Sequence, residues 1–206
     1  MRAEIRCLDP ADVLRAHKIA KEAYPAEEAP SRENLANLHK VACDLFLGFF
    51  EDDKLVAFIC GSRYHGHHVT NESFETHLPN GETVIIHCLC THRSRRRRGI
   101  ALALLRTFVN HLQVAVPITR RILLLCHAYH IPVFTRAGFV FVDEVQLCLG
   151  PRKWYEQEYI FFSANNETMT LFTESDDAFS ETITPSELST WPSSGSRSSI
   201  MSIRDS

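Results

Sequence analysis

The residues best suited to chemistry lie in one run, Leu89-Cys90-Thr91-His92-Arg93-Ser94-Arg95-Arg96-Arg97-Arg98-Gly99-Ile100-Ala101. An apolar stretch ends at Thr91, arginines crowd the turn, and a periodic apolar stretch opens at Ile100. A strand turning tightly into a helix gathers backbone N–H groups at the positive end of the helix dipole, a cradle for a pyrophosphate. Gly99 and Ala101 suit such a turn, because larger side chains would hold phosphates away from the backbone. Arg96, Arg97 and Arg98 put positive charge where a diphosphate and a 3′-phosphate would lie. The run is neither a Walker loop, lacking Gly-Lys-Ser/Thr, nor a Gly-x-Gly-x-x-Gly turn. Four consecutive arginines also suit a nuclear-localisation or nucleic-acid patch. Their place between a strand and a helix favours the phosphate cradle.

The elements that must position this turn follow from periodicity. Residues 5–8 read as a short strand, followed by Asp9-Pro10 as a helix start and Val13, Ala16 and Ala20 at helical spacing. A polar loop, 25–30, leads to a second short helix at 33–42. Apolar runs 45–50 and 55–62 flank Glu51-Asp52-Asp53-Lys54, a hairpin signature. A His-rich stretch, 64–82, precedes a buried strand at 84–91. The helix at 100–114 sets Leu102, Leu105, Val109 and Leu112 on one face. A strand at 121–126, a helical segment at 129–137 broken or begun by Pro132, and strands at 139–145 and 155–162 complete the order β-α-α-β-β-β-α-β-α-β-β. Trp154 and Tyr155 are expected to close the last strand. That order is mixed α/β.

Composition bounds the remainder. The chain has 206 residues, 45% apolar and 23% charged, enough to bury a real core. No apolar run reaches the roughly 20 residues of a membrane helix, and the N-terminus lacks a signal-peptide layout. Seven cysteines, none in a Cys-x-x-Cys pair, read as reduced thiols, which implies a cytoplasmic protein. Residues 164–206 carry seven acidic groups against two arginines, and 17 of them are Ser or Thr. With few periodic apolar residues to offset ordering entropy, this tail reads as disordered, which leaves a domain at 1–163. His65, His67 and His68 lack acidic or cysteine partners at ligand spacing, so no metal is expected.

Arg96-Arg97-Arg98-Gly99-Ile100-Ala101 resembles the acetyl-CoA motif, Arg/Gln-x-x-Gly-x-Gly/Ala, of the GNAT superfamily of N-acetyltransferases. The chain is more narrowly similar to the arylalkylamine (serotonin) N-acetyltransferases. That similarity rests on Ile5-Arg6-Cys7-Leu8, Glu22-Ala23-Tyr24, Leu47-Gly48-Phe49-Phe50-Glu51 and the run 55–62. Asn71-Glu72-Ser73, Leu89 with His92-Arg93, and Cys126 with Pro132-Val133-Phe134 extend it over residues 3–162. The resemblance implies the GNAT fold: a mixed central sheet whose strand holding Leu89 splays from its neighbour, with the pantetheine arm of acetyl-CoA beside Leu89, Cys90 and Thr91. It implies direct transfer from the thioester to a neutral amine, with a backbone N–H near Leu89 stabilising the oxyanion.

An amine with a pKa near 10.4 needs about 4–5 kcal/mol to lose its proton at neutral pH, so a base is required. The family's vertebrate branch implies His87, with Ile85 where a second histidine would stand. Period-two alternation puts Ile85, His87 and Leu89 on one face, although a lone His in an apolar strand also suits a core residue. The insect branch implies Glu28, in the loop after the first helix, against the competing reading of a solvated loop residue. Tyr24 takes the place of an aromatic that packs on the amine, and its competing reading is a residue stapling the helix end. Phe134 stands where the family has a tyrosine that protonates the departing thiolate, and it is retained as a substrate-binding residue. Tyr129 and Cys126 lie near it in sequence, and Cys88 and Cys90 alternate into packing.

The substrate class is therefore a small arylalkylamine or polyamine, with no nucleic-acid or membrane partner and a monomer as default. A protein or histone acetyltransferase, a non-catalytic acyl-CoA-binding module and a nucleic-acid binder stay open as alternatives.

Overall fold

The computed structural model describes residues 2–146 and 152–161; the tail at 164–206 lies outside them. One seven-stranded sheet has the order β1-β2-β3-β4-β5-β7-β6. Its strands are β1 (Ala3–Cys7), β2 (Phe46–Glu51), β3 (Lys54–Tyr64), β4 (Thr83–Thr91), β5 (Arg121–Cys126), β6 (Val140–Val145) and β7 (Trp154–Ile160). The helices are α1 (Val13–Ala23), α2 (Arg32–Val41), α3 (Asn71–Glu75), α4 (Ile100–Ala115) and α5 (Ile131–Thr135). All pairs are antiparallel except β4 with β5, which α4 joins as a crossover.

Local chemistry explains most of these boundaries. Asp52 and Asp53 adopt φ values of 46° and 62°, the paired left-handed conformation of a two-residue hairpin turn that Asp tolerates. Ser31 caps α2 by accepting from the Asn34 amide at 3.0 Å. Helix α1 buries Val13, Ala16, Ile19 and Ala20 against one face of the sheet, with Phe46, Phe58, Cys88 and Cys90. Helix α4 covers the other face through Leu104, Leu105, Phe108, Val109 and Leu112, packed on Val84, Ile86, Ile122 and Leu124. Each such Leu or Phe contributes about 1.5–3 kcal/mol by leaving water.

Several expectations need correction. Leu102 is only half-buried and borders the cleft described below, while Leu104 and Phe108 take the core face of α4. The stretch at 64–82 holds α3, whose Thr70 cap accepts from the Ser73 amide at 3.2 Å. The segment expected as one helix at 129–137 is a 3-10 turn, Ala128–His130, followed by α5 with Pro132 in its first turn. Trp154 opens the last strand instead of closing it.

A further correction concerns β4. Cys60 pairs with Cys88 and Gly61 with Ile86, so His87 is an extra residue bulged out of the ladder. Gly61 permits this, because a Cβ there would stand 2.5 Å from the Ile85 carbonyl oxygen. The bulge resets the alternation: Ile86 and Leu89 pack toward α4, and Cys88 and Cys90 toward α1. Leu89 therefore does not share the face of His87.

Candidate active site

The parallel ladder of β4 and β5 ends at the pair Ile86 and Leu124. Strand β4 continues to Thr91 and β5 to Cys126, where it pairs only with β7. The β5-facing edge of residues 87–91 is left without a strand partner. A cleft of about 1260 Å³ opens there, bordered by Leu89, Cys90 and Thr91, by the arginine turn and by the residues after Tyr24.

The turn is built as the sequence suggests. A 3-10 turn, Arg93–Arg95, follows β4; Arg97 has φ 63° and Gly99 φ 77°, and α4 then begins. A Cβ added at Gly99 would meet nothing within 4 Å, so the space at the helix N-terminus is open. The first-turn amides of α4 have no carbonyl partners within the helix, and the Thr91 hydroxyl is buried without a hydrogen bond. Open space, free donors and positive charge fit the pyrophosphate end of acetyl-CoA. Arg96, Arg97, Gly99, Ile100 and Ala101 border the cleft; Arg98 is exposed and does not. Arg95 is tied to Glu51, and Arg96 donates to the Thr91 carbonyl at 3.1 Å.

His87, Glu28, Tyr24 and Phe134 all border the same cleft. The ring of His87 lies edge-on to Phe74 at 5.1 Å, with Nε2 2.8 Å from the Ser62 hydroxyl. Burial, and then the charge of His77, lowers its pKa to about 4, so at neutral pH it is uncharged. The unfolded imidazole binds a proton below about 6.5, whereas the folded one resists until about 4. Acid therefore favours unfolding. The wild type is expected to lose up to about 3 kcal/mol more stability than His87→Gln as pH falls from 6.5 to 4. Urea unfolding across that range checks this, and parallel curves would contradict it.

Glu28 is not a solvated loop residue. Its amide donates to the Pro25 carbonyl at 3.0 Å, closing a turn directly after α1, and its side chain is 1% exposed. One oxygen, Oε2, lies 3.0 Å from Nε2 of His127, while Oε1 has no hydrogen-bond partner. Tyr24 packs against the cluster that holds Cys88 and Cys90, and burial pushes its hydroxyl pKa well above the usual value. Phe134 is buried, edge-on to Phe139 at 5.9 Å. Burial also raises the Cys126 thiol to about 12, which makes it a poor donor to a departing thiolate. Tyr129 is 64% exposed and stacks on His127.

His127 is the site residue that sequence reasoning missed. It stands first past the end of a parallel strand beside a gap, where open α/β sheets bind ligands. That position rule was the available signal. His65, His67 and His68 are exposed and do not border the cleft. Among the described residues no cluster of His, Cys, Asp or Glu is arranged to hold a metal ion.

A mixed sheet whose parallel central strands part beside an arginine–glycine turn opening the crossover helix defines an acyl-CoA-dependent acyltransferase. Residues 12–139 match the acetyltransferase (GNAT) family. The chain is 31% identical over 157 residues to serotonin N-acetyltransferase from Mesocricetus auratus, spanning 75% of each chain. It is 30% identical to the Homo sapiens enzyme over the same share. Among solved structures it superposes on the GNAT-like decarboxylase GphF, in complex with isobutyryl-CoA, with TM-score 0.68 and 12% identity, covering 76% of this chain and 98% of that one. For Ard1 from Thermoplasma volcanium the values are 0.61 and 17%, covering 79% and 100%. At such identities these structures speak for the fold alone. The chain belongs to the acetyltransferase (GNAT) family, in the branch resembling serotonin N-acetyltransferases. It is an N-acetyltransferase whose acetyl donor is acetyl-CoA. No helix of the described residues is long and apolar enough to cross a membrane.

Proposed function

We propose that this chain acetylates small primary amines carried on an apolar arm, arylalkylamines first and polyamines second. The observation that carries this reading is the Glu28 carboxylate, buried at the cleft with one oxygen that accepts no hydrogen bond. Tyr24, Phe74, Phe134 and Trp154 border the same space and offer apolar surface to an aromatic ring. The serotonin N-acetyltransferases among its relatives support the same substrate class.

Acetyl-CoA supplies the acetyl group as a thioester. The unpartnered edge of Leu89, Cys90 and Thr91 would hold the pantetheine arm, and Arg96, Arg97, Gly99, Ile100 and Ala101 the pyrophosphate. Arg98, exposed and off the cleft border, is left out of this set. Glu28 takes the amine proton. His87, neutral and held by Ser62 against Phe74, lines the wall of the cleft. Tyr24 and Phe134 pack on the amine's apolar part. The buried, unpaired thiols of Cys60, Cys88 and Cys90 agree with a reducing, cytoplasmic setting.

Phe134 favours one competing reading, a slow enzyme or an acyl-CoA-binding module, since Phe cannot protonate a thiolate. Thiol release from acetyl-CoA with tryptamine, spermine and a histone-tail peptide tests both. Tryptamine is expected to be turned over fastest. Activity on the peptide alone would move the substrate to proteins, and no release from protein that binds acetyl-CoA would support the binding module.

A further inference from the structure

His127 is 6% exposed, its ring set 4.1 Å from that of Trp154 and 5.6 Å from that of Tyr129. Nδ1 lies 3.0 Å from the Lys153 carbonyl oxygen, which only accepts, so Nδ1 carries a proton. Nε2 lies 3.0 Å from Glu28 Oε2, on a turn 99 residues earlier. A ring nitrogen and a carboxylate oxygen at that distance hold one proton between them. This engages Oε2 and orients the whole carboxylate.

The other oxygen is left over. Glu28 Oε1 is buried and without a hydrogen bond, and the nearest cation, Nε of Arg152, stands 4.0 Å away, beyond hydrogen-bond range. A buried carboxylate oxygen without a donor is costly. An ammonium or amine N–H on a ligand in the cleft supplies that donor.

We propose that His127 is a positioning residue that fixes Glu28 so that its free oxygen receives the amine of a cationic substrate, the two side chains acting as one unit. The inference rests on the amine-acetyltransferase reading of this cleft and adds the residue that sets its carboxylate.

Two variants separate positioning from packing. His127→Gln keeps an N–H donor for Glu28 and loses the ring, whereas His127→Phe keeps a ring between Trp154 and Tyr129 and loses the donor. Tryptamine is titrated calorimetrically into the CoA-saturated full chain, and kcat and KM are measured on the same samples. His127→Phe is expected to weaken tryptamine binding and to lower kcat/KM roughly tenfold to a hundredfold, while His127→Gln stays within about threefold. Acetyl-CoA affinity stays unchanged in both.

The reverse order, or equal effects, overturns the proposal in favour of simple packing. Wild type that binds tryptamine but releases no thiol refutes the acetyl-transfer reading, while the binding order still decides the role of His127. Wild type that binds acetyl-CoA but neither tryptamine nor spermine overturns the proposal. Should a variant fail to fold, the imidazole ¹⁵N spectrum of the wild type decides. A proton shared at Nε2 and altered by Glu28→Gln supports the pair; an Nε2 signal indifferent to Glu28→Gln refutes it.

Discussion

Gly99→Glu is expected to abolish acetyl-CoA binding in a chain that still folds. Gly99 has φ 77°, which a non-glycine residue adopts at a cost of about 1–2 kcal/mol. Its added Cβ meets no protein atom within 4 Å, so the new side chain enters open space at the N-terminus of α4 without breaking the core. That space is where the turn offers free amides and arginine charge to a diphosphate. A carboxylate there repels the diphosphate by about 4 kcal/mol at close range, roughly three orders of magnitude in affinity. Gly99→Ala separates the two effects, carrying the backbone strain without the charge, and should bind acetyl-CoA only several-fold more weakly. Calorimetry with circular dichroism on the same samples checks both. Unchanged affinity in Gly99→Glu would remove this turn from the cosubstrate site.

Glu28→Gln should lower kcat by about two to three orders of magnitude, the usual contribution of a positioned base, with acetyl-CoA affinity intact. The size follows from the substrate: a protonated amine must give up its proton at a cost of about 4–5 kcal/mol before it can attack. A negative carboxylate attracts that ammonium and can take its proton. His87, uncharged and with its pKa lowered to about 4, offers no charge to the ammonium. His87→Gln is therefore expected to cost no more than about tenfold, since it loses a wall residue and not the proton acceptor. Steady-state kinetics with tryptamine decides between them. If Glu28→Gln keeps wild-type turnover while His87→Gln loses a hundredfold, the assignment is reversed and the histidine strand carries the chemistry.

These two results bracket the cleft, one at the phosphate end and one at the amine end. Between them stands Phe134, which offers no hydroxyl to the thiolate. Cys126, raised to about 12 by burial, does not replace it. A thiol with a pKa near 8.5 leaves tolerably as the thiolate, so the missing donor bears on rate rather than on whether the reaction proceeds.

The local grammar of this chain was readable from its residues. Alternation and helical spacing marked all seven strands and the longer helices, Glu51-Asp52-Asp53-Lys54 marked a tight hairpin, and the arginine–glycine run marked the phosphate turn. Each depends on interactions between near neighbours in sequence: backbone conformation at Gly99, the twin left-handed aspartates, an apolar face on α4. Three things were decided only in three dimensions. The bulge at His87 comes from β3 pressing its Gly61 backbone against β4, and it moved Leu89 to the face opposite to the one that alternation gave. Leu102 reads like its core neighbours on α4, but the parting of β4 and β5 left a cleft where a core contact was expected. The pairing of Glu28 with His127 joins the loop after α1 to the residue that follows β5, 99 residues later. No local pattern encodes that contact. A hydrogen bond between distant residues exists only once the sheet order has brought both ends to the same gap, so the sequence named one carboxylate and the fold supplied its partner.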